Sequence, residues 1–267
     1  MTLDAKYAKL KDILSSMNSV LVAYSGGVDS ALLAKVAFET LGAKSLAVTA
    51  SSETYPEREL KEAIATAKAI GISHSVFHSN ELLDPNFKKN PKDRCYYCKS
   101  ELFAKLTEIQ EKNGLNFIVD GANIDDLKDF RPGHRAKEKF SVRSPLQEAG
   151  MTKEDIRLLS KELGLPTWNK PSLACLSSRL PYGEEITLEK LRVIDLAENA
   201  LQKLGFNELR VRYHKEIARI ELPRQDFTKL SDEMIDQIVN QLKDLGFTYV
   251  TLDLQGLRSG SMNEVLK

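Results

Sequence analysis

The sequence predicts an α/β protein: an open, mainly parallel sheet covered by helices, with a smaller C-terminal α+β domain. Three observations carry that expectation. Short apolar runs alternate with amphipathic stretches through residues 1–123. A glycine turn, SGGVDS at 25–30, joins the first apolar run to a helix. Beyond about residue 180 the order changes to helix, paired strands, helix and strand. Alternation of the first kind implies parallel crossovers with helices on both faces of the sheet.

Leu3, Tyr7, Leu10 and Leu14 fall at helical spacing, so the chain opens with an amphipathic helix. SVLVAYS (19–25) reads as a buried strand, followed by the glycine turn and a helix from about Asp29 to Leu41. SLAVTAS (45–51) is a second strand. PERELKEAIATAKAIG (56–71) is a helix with proline near its start and glycine at its end. HSVFHS (74–79) is a third strand, KSELFAKLTEIQEK a helix and NFIVDGAN (116–123) a fourth strand. A polar loop, DDLKDFRPGHRAKEK, precedes a short helix at about 153–163. GLPTWNKPSLACLSSRLPYGEE, with three prolines and two glycines, reads as a linker that also bears chemistry. TLEKLRVIDLAENALQKLG is a helix, ELRVRYH and IARIELP form a hairpin, and a helix at 231–245 leads into the strand YVTLDL. KLGF at 203–206 and DLGF at 244–247 form a weak internal echo, each ending a helix ahead of a strand. The expected division is 1–165 for the parallel-sheet domain, 166–183 for the linker and 184–267 for the second domain.

With 38 basic and 38 acidic residues, the formal charge is zero. That argues against a protein that grips long nucleic acid by bulk electrostatics. No apolar run approaches the ~20 residues of a membrane span. The charged, amphipathic N-terminus is unlike a secretory signal. The expected compartment is the cytoplasm, where paired cysteines serve as metal ligands or catalytic thiols more often than as structural disulfides.

The SGGVDS turn has the context that gives a short glycine motif meaning, since it follows a strand and opens a helix. Gly26 and Gly27 lack β-carbons, so backbone N–H groups can close around phosphate oxygens at the positive end of the helix. Ser25 and Ser30 can donate hydroxyl hydrogen bonds, and Asp29 can hold Mg²⁺ against the phosphates. An isolated S-G-G is merely a turn that caps a helix. No G-x-x-x-x-G-K-[ST] stands in the chain. Cys95 and Cys98 form a C-x-x-C in RCYYCKS, and Cys175 is the third cysteine. The trio is compatible with an iron–sulfur centre, with zinc if one of the four histidines joins it, or with a redox pair beside a persulfide carrier. In ELRVRYH, Arg210 and Arg212 alternate with Val211, so both arginines face one side of the strand, where such a pair can fork a phosphate. Arg179 is the candidate for neutralising ATP phosphates. Asp125, Asp126 and Asp129 form an acidic loop at a strand end.

SGGVDS resembles the PP-loop of the ATP pyrophosphatases, whose members attack ATP at its α-phosphate and release pyrophosphate. DGANIDDLKDFRPG, SPLQEAG, WNKPSLACLSSRLPYG, RVRYHKEIARIELP and YVTLDLQGLRSGSMN, in this order, resemble the LarE family of sulfur transferases. The resemblance implies adenylation of the carboxylates of a pyridinium-3,5-dicarboxylate mononucleotide and their conversion to thiocarboxylates for a nickel-pincer cofactor used in lactate racemase maturation. Some members sacrifice a cysteine, whereas the pattern of Cys95, Cys98 and Cys175 is similar to members with a [4Fe–4S] cluster that binds the transferred sulfide. The family also implies ATP and Mg²⁺ as cofactors, and sulfide or a cysteine desulfurase as the sulfur source. Members assemble as homo-oligomers through the C-terminal domain. Glu198, Arg210, Arg212 and Arg258 match positions placed around the mononucleotide. The rival reading is a PP-loop tRNA thiolase with the same three cysteines, disfavoured by the neutral charge and the lack of an RNA-binding appendage.

Overall fold

The protein is described here by a computed structural model covering residues 1–128, 133–171, 174–258 and 260–266, without the side chains of Lys128 and His134. Asp129 of the expected acidic loop lies outside the described residues. The helices are α1 (Leu3–Met17), α2 (Val28–Leu41), α3 (Glu57–Ile70), α4 (Pro85–Lys88), α5 (Arg94–Lys112), α6 (His134–Lys139), α7 (Pro145–Glu148), α8 (Lys153–Glu162), α9 (Leu188–Lys203) and α10 (Asp232–Asp244). The strands are β1 (Val20–Ala23), β2 (Ser45–Ser51), β3 (Ser73–His78), β4 (Phe117–Val119), β5 (Arg210–His214), β6 (Ile217–Glu221) and β7 (Tyr249–Leu252). The chain forms two compact units, Met1–Glu81 with Asp93–Leu173 and Leu82–Lys92 with Ala174–Lys267.

In the first unit a parallel sheet runs in the order β3-β2-β1-β4. Its central strand β1, VLVA, is apolar at every position because both of its faces are covered. Leu10, Leu14, Leu33, Val36 and Ile156 pack in one core cluster, and Leu21, Val48, Phe103, Leu106 and Ile118 in another. Beyond β4, Arg143 forms a single parallel bridge with Val119. One bridged pair in a polar stretch leaves no apolar run in the sequence, which is why this extension of the sheet was not predicted.

Helix α5 starts at Arg94, five residues ahead of the KSELF boundary read from the sequence, so Cys95 and Cys98 lie inside its first turns. Nothing in RCYYC breaks a helix, and Arg94 is buried at its start. The segment Leu82–Lys92 belongs to the second unit. There the fully buried Asn90 accepts from Gly183 N–H at 3.0 Å and donates Nδ2–H to the Pro181 carbonyl at 2.7 Å. The expected linker is thus divided, its residues from Ala174 onward lying in the second unit.

In the second unit β5 and β6 form the expected antiparallel hairpin, and β7 joins β6 in parallel. Val211, Ala218 and Ile220 pack with Ala197, Leu201, Ile238 and Leu242 of α9 and α10. Phe206 and Phe247, the matched residues of the LGF echo, both enter that core. By strand alternation the opposite face presents Arg210, Arg212, His214, Ile217, Arg219, Glu221 and Thr251.

The turn after β1 is where packing tolerates least change. Gly26 has φ +65°, and a β-carbon there would lie 2.6 Å from Cβ of Ala63 and 2.8 Å from its Cα, on helix α3. Gly114 also has positive φ (+62°), but a β-carbon there would meet no atom within 4 Å. Urea unfolding should therefore show Gly26→Ala losing about 2–4 kcal/mol, from backbone strain plus overpacking, and Gly114→Ala only about 1 kcal/mol. Equal losses at the two positions would contradict this packing argument.

Candidate functional site

The site is built at the carboxyl end of the parallel sheet, where open α/β folds place their ligands. Helix α2 begins at the N-cap Gly27 with no side-chain cap, so its first N–H groups receive no bond from that residue's side chain. Ser30 is buried; its hydroxyl accepts from Ser25 N–H at 3.2 Å, lies 3.1 Å from the Ser25 hydroxyl and donates to the Gly27 carbonyl at 3.2 Å. Tyr55 O–H donates to the Ser25 carbonyl at 2.7 Å. Burial, with the carboxylate of Glu59 nearby, holds the Tyr55 phenol above its ordinary pKa, so it remains a donor.

The root of the turn is fixed by a short polar chain. Thr49 O–H donates to the Tyr24 carbonyl at 2.8 Å, so the 2.8 Å bond between Thr49 and His74 is donated by Nε2–H of the imidazole. The ring stands edge-on to Tyr24, with centroids 5.5 Å apart. Burial lowers the His74 pKa from its ordinary 6.5.

Asp29 does not stand alone. Its carboxylate accepts Lys153 Nζ–H at 2.5 Å and Asn123 Nδ2–H at 3.1 Å. Lys153 is aimed by α8, whose Thr152–Asp155 capping box fixes the helix start, and by its own N–H bond to Asp125 at 2.9 Å. Sequence reasoning missed Lys153; the signal available was a T-K-E-D helix start after SPLQEAG, at the same sheet end. A carboxylate in the first turn of α2 has the oxygen chemistry that suits Mg²⁺ shared with phosphates. Immediately after β4, buried Asp120, Lys137 and Ser144 form a closed trio, with Lys137 Nζ 3.1 Å from Asp120 and 2.5 Å from the Ser144 hydroxyl.

Cys95 and Cys98 stand one helical turn apart at the start of α5, and neither is in a disulfide among the described residues. Cys98 S–H donates to Glu81 at 3.5 Å. Burial pushes the Glu81 carboxyl above its ordinary range, partly offset by hydrogen bonds from Ser52 and Cys98. Cys175 belongs to the second unit, where it is half-buried at the start of the 3-10 turn Leu176–Arg179. Among the described residues no three His, Cys, Asp or Glu side chains gather into a metal-sized group. Two sulfurs on one helical turn are nonetheless a donor pair suited to a thiolate-bound centre.

The arginines depart most from expectation. Arg179, expected on ATP phosphates, is fully buried and bound at 2.9 Å to each oxygen of Glu198. Glu198, expected at the mononucleotide, is 1% exposed, and both its oxygens are held by Arg179. Arg212 gives its terminal nitrogens to the Ser178 carbonyl, to Glu221 and to Ser261, so it is no open phosphate fork. Arg258 is bound to Glu264 and Asp253, and the Glu264 hydrogen bond holds its pKa up. Sequence alternation gives the face of these residues but not their partners. Arg210 is half-buried; burial, with Arg179 and Arg212 nearby, pushes its pKa down to about 10. Arg219, also missed, lies opposite Arg212 in the hairpin register and reaches Glu221 and Asp253. Nε of Arg212, Nε of Arg219 and Nε2 of His214 are buried without a hydrogen-bond partner among the described residues. His214 and Arg219 line a cavity of about 500 Å³ with Pro181, Ile217, Thr251 and Met262.

The NAD synthase family model matches residues 4–102, which contain the SGGVDS turn. An uncharacterized protein of Synechocystis sp. is 46% identical over 265 residues, covering 99% of this chain and 99% of its own. The pyridinium-3,5-bisthiocarboxylic acid mononucleotide synthase of Lactiplantibacillus plantarum is 41% identical over 268 residues, covering 99% of this chain and 96% of its own. An uncharacterized protein of Methanocaldococcus jannaschii is 34% identical, covering 95% and 98%. No helix among the described residues is long and apolar enough to cross a membrane.

The buried imidazole gives a pH prediction. Because the His74 pKa is lower folded than unfolded, its contribution to stability is intact above pH 6.5 and is lost as pH falls through the folded value. Denaturation between pH 7 and pH 5 should show stability falling, with a shallower slope in His74→Gln; an unchanged slope would contradict the assignment.

Proposed function

Since the chain belongs to the LarE family of ATP-dependent sulfur transferases, within the PP-loop superfamily, we propose that it adenylates a pyridinium-3,5-dicarboxylate mononucleotide and converts its carboxylates to thiocarboxylates for nickel-pincer cofactor synthesis. The observation that carries this reading is the alignment with a bisthiocarboxylic acid mononucleotide synthase across essentially the whole chain. The glycine turn supports it, since its backbone and the uncapped start of α2 suit a polyphosphate.

A substrate carboxylate oxygen attacks the α-phosphate of ATP, the bond to the β-phosphate bridging oxygen breaks, and pyrophosphate leaves. Gly26, Gly27, Ser25 and Ser30 would hold the phosphates, and Asp29 would hold Mg²⁺. Lys153, paired with Asp29 in this structure, would then turn its ammonium to the phosphate oxygens, replacing Arg179 as the proposed neutralising cation. Adenylation turns a carboxylate oxygen into a good leaving group; sulfide then attacks the acyl carbon and AMP departs. The cycle repeats at the second carboxylate. Cys95, Cys98 and Cys175 would hold a [4Fe–4S] cluster, which would supply the sulfide to be transferred. The substrate's anionic groups are proposed to meet the polar face of the second sheet, through Arg210 with Arg219 and His214. Glu198, Arg212 and Arg258 support that face from within their own ion pairs. Free sulfide or a cysteine desulfurase is the proposed sulfur source, a homo-oligomer the proposed assembly and the cytoplasm the proposed compartment.

Anaerobic assay of AMP, pyrophosphate and thiocarboxylate tests the scheme. Asp29→Ala should lower AMP formation at least about 100-fold, whereas Cys175→Ala should form AMP and no thiolated product. Purified anaerobically, the protein should carry about four irons, a content lost on replacing any one cysteine. Thiocarboxylate formed at the normal rate by both Cys95→Ala and Cys175→Ala would overturn the proposal. For Lys153→Gln the expectation is an at least tenfold loss of AMP formation, with a stability change of about 1 kcal/mol or less, as for a partly exposed ion pair.

A further inference from the structure

The arginine that the sequence places on ATP phosphates is the largest of the fully buried side chains. Its guanidinium spends one edge on Glu198, Nε and Nη2 each donating at 2.9 Å. From the other edge, Nη1 reaches the Ala174 carbonyl at 2.6 Å, the Cys175 carbonyl at 3.0 Å and the Ser178 hydroxyl at 3.0 Å. Glu198 is itself anchored, since its Oε1 also accepts Val211 N–H of β5 at 3.1 Å. The Cys175 carbonyl takes a further bond from Ser178 N–H at 2.9 Å. The flanking Leu176 and Ser177 are buried, whereas Cys175 remains half-buried.

We infer that Arg179, held by Glu198, is a positioning residue that fixes the backbone of Cys175 and so sets the presentation of its thiol, and that it does not bind nucleotide. The inference rests on the proposed role of Cys175 in sulfur handling. A planar fork with donors on two edges can hold a carboxylate and two successive carbonyls at once. An ammonium is a point donor on a flexible stem; it can keep the charge opposite Glu198 but cannot span both edges. The guanidinium is fully buried with its Nε–Nη2 edge on Glu198 and Nη1 on the loop, and its release to a phosphate would strand the Glu198 charge.

The test is Arg179→Lys, studied well below its unfolding temperature, with iodoacetamide labelling of each cysteine followed by peptide mass spectrometry. In the cluster-free protein, where no iron ties the three thiols together, Cys175 should label about tenfold faster than in the parent protein as its loop opens, while Cys95 and Cys98 act as internal references with unchanged rates. The KM for ATP in substrate-dependent pyrophosphate release should stay within about threefold, whereas thiocarboxylate formation should fall about tenfold or more. A merely structural role would lower the unfolding temperature and scale both activities together, leaving the relative labelling of the three cysteines unchanged; that result overturns the inference. So does a tenfold rise in the KM for ATP with Cys175 labelling unchanged, which would return the guanidinium to the nucleotide. Should Arg179→Lys not fold, Ser178→Ala removes only the hydroxyl acceptor and should still accelerate Cys175 labelling about two- to threefold; no change there is equally decisive against it. Cys175→Ala separates the two levels of argument. Normal thiolation by Cys175→Ala defeats the sulfur-handling role, while the labelling ratios still decide what Arg179 holds.

Discussion

Close approach of helix α3 to the glycine turn is the constraint on which the first unit's chemistry depends. The backbone at Gly26 rests against Ala63 with no room for a β-carbon on either geometric or conformational grounds. That contact fixes where the chain leaves β1 and enters α2, and the hydroxyls of Ser25 and Ser30 then close the turn. Tyr55 on one side and the Tyr24–Thr49–His74 chain on the other hold the carbonyls at its base. Turn donors can face a ligand because the carbonyls beside them already have partners. One missing methyl group at Gly26 thus leaves the start of α2 open.

Charge is handled differently in the two units. In the first, a cation and a carboxylate at the sheet's end are paired with each other and remain partly exposed, with 30% of the Lys153 side chain and 24% of that of Asp29 accessible. Such a pair can exchange partners at modest cost. In the second, arginines are locked into an alternating chain that runs from Arg212 through Glu221 to Arg219, and through Asp253 to Arg258 and Glu264. Arg212 and Arg219 face each other across the hairpin, an unfavourable juxtaposition that Glu221 offsets. The ionic chain gives the polar sheet face a fixed shape, while Nε of Arg219 and Nε2 of His214, beside the cavity, have no hydrogen-bond partner among the described residues.

The sequence alone determined the parallel character of the first sheet, the glycine turn, the hairpin and the family. Each is written in local patterns: apolar runs of strand length, helix periodicity, S-G-G-x-D-S after a strand, and alternation in RVRYH. The tertiary structure alone decided who partners whom. Arg179 reads as a phosphate-facing arginine from SSRLPYG, yet it is buried because Glu198, on a helix that starts nine residues later, comes back to meet it. Lys153 lies 124 residues from Asp29 and no periodicity links them. Likewise Leu82–Lys92 joins the second unit through Asn90. Periodicity records which face a residue takes, because that is set by φ and ψ over a few neighbours. Pairing and burial are set by chain closure over tens to hundreds of residues, which leaves no short-range mark.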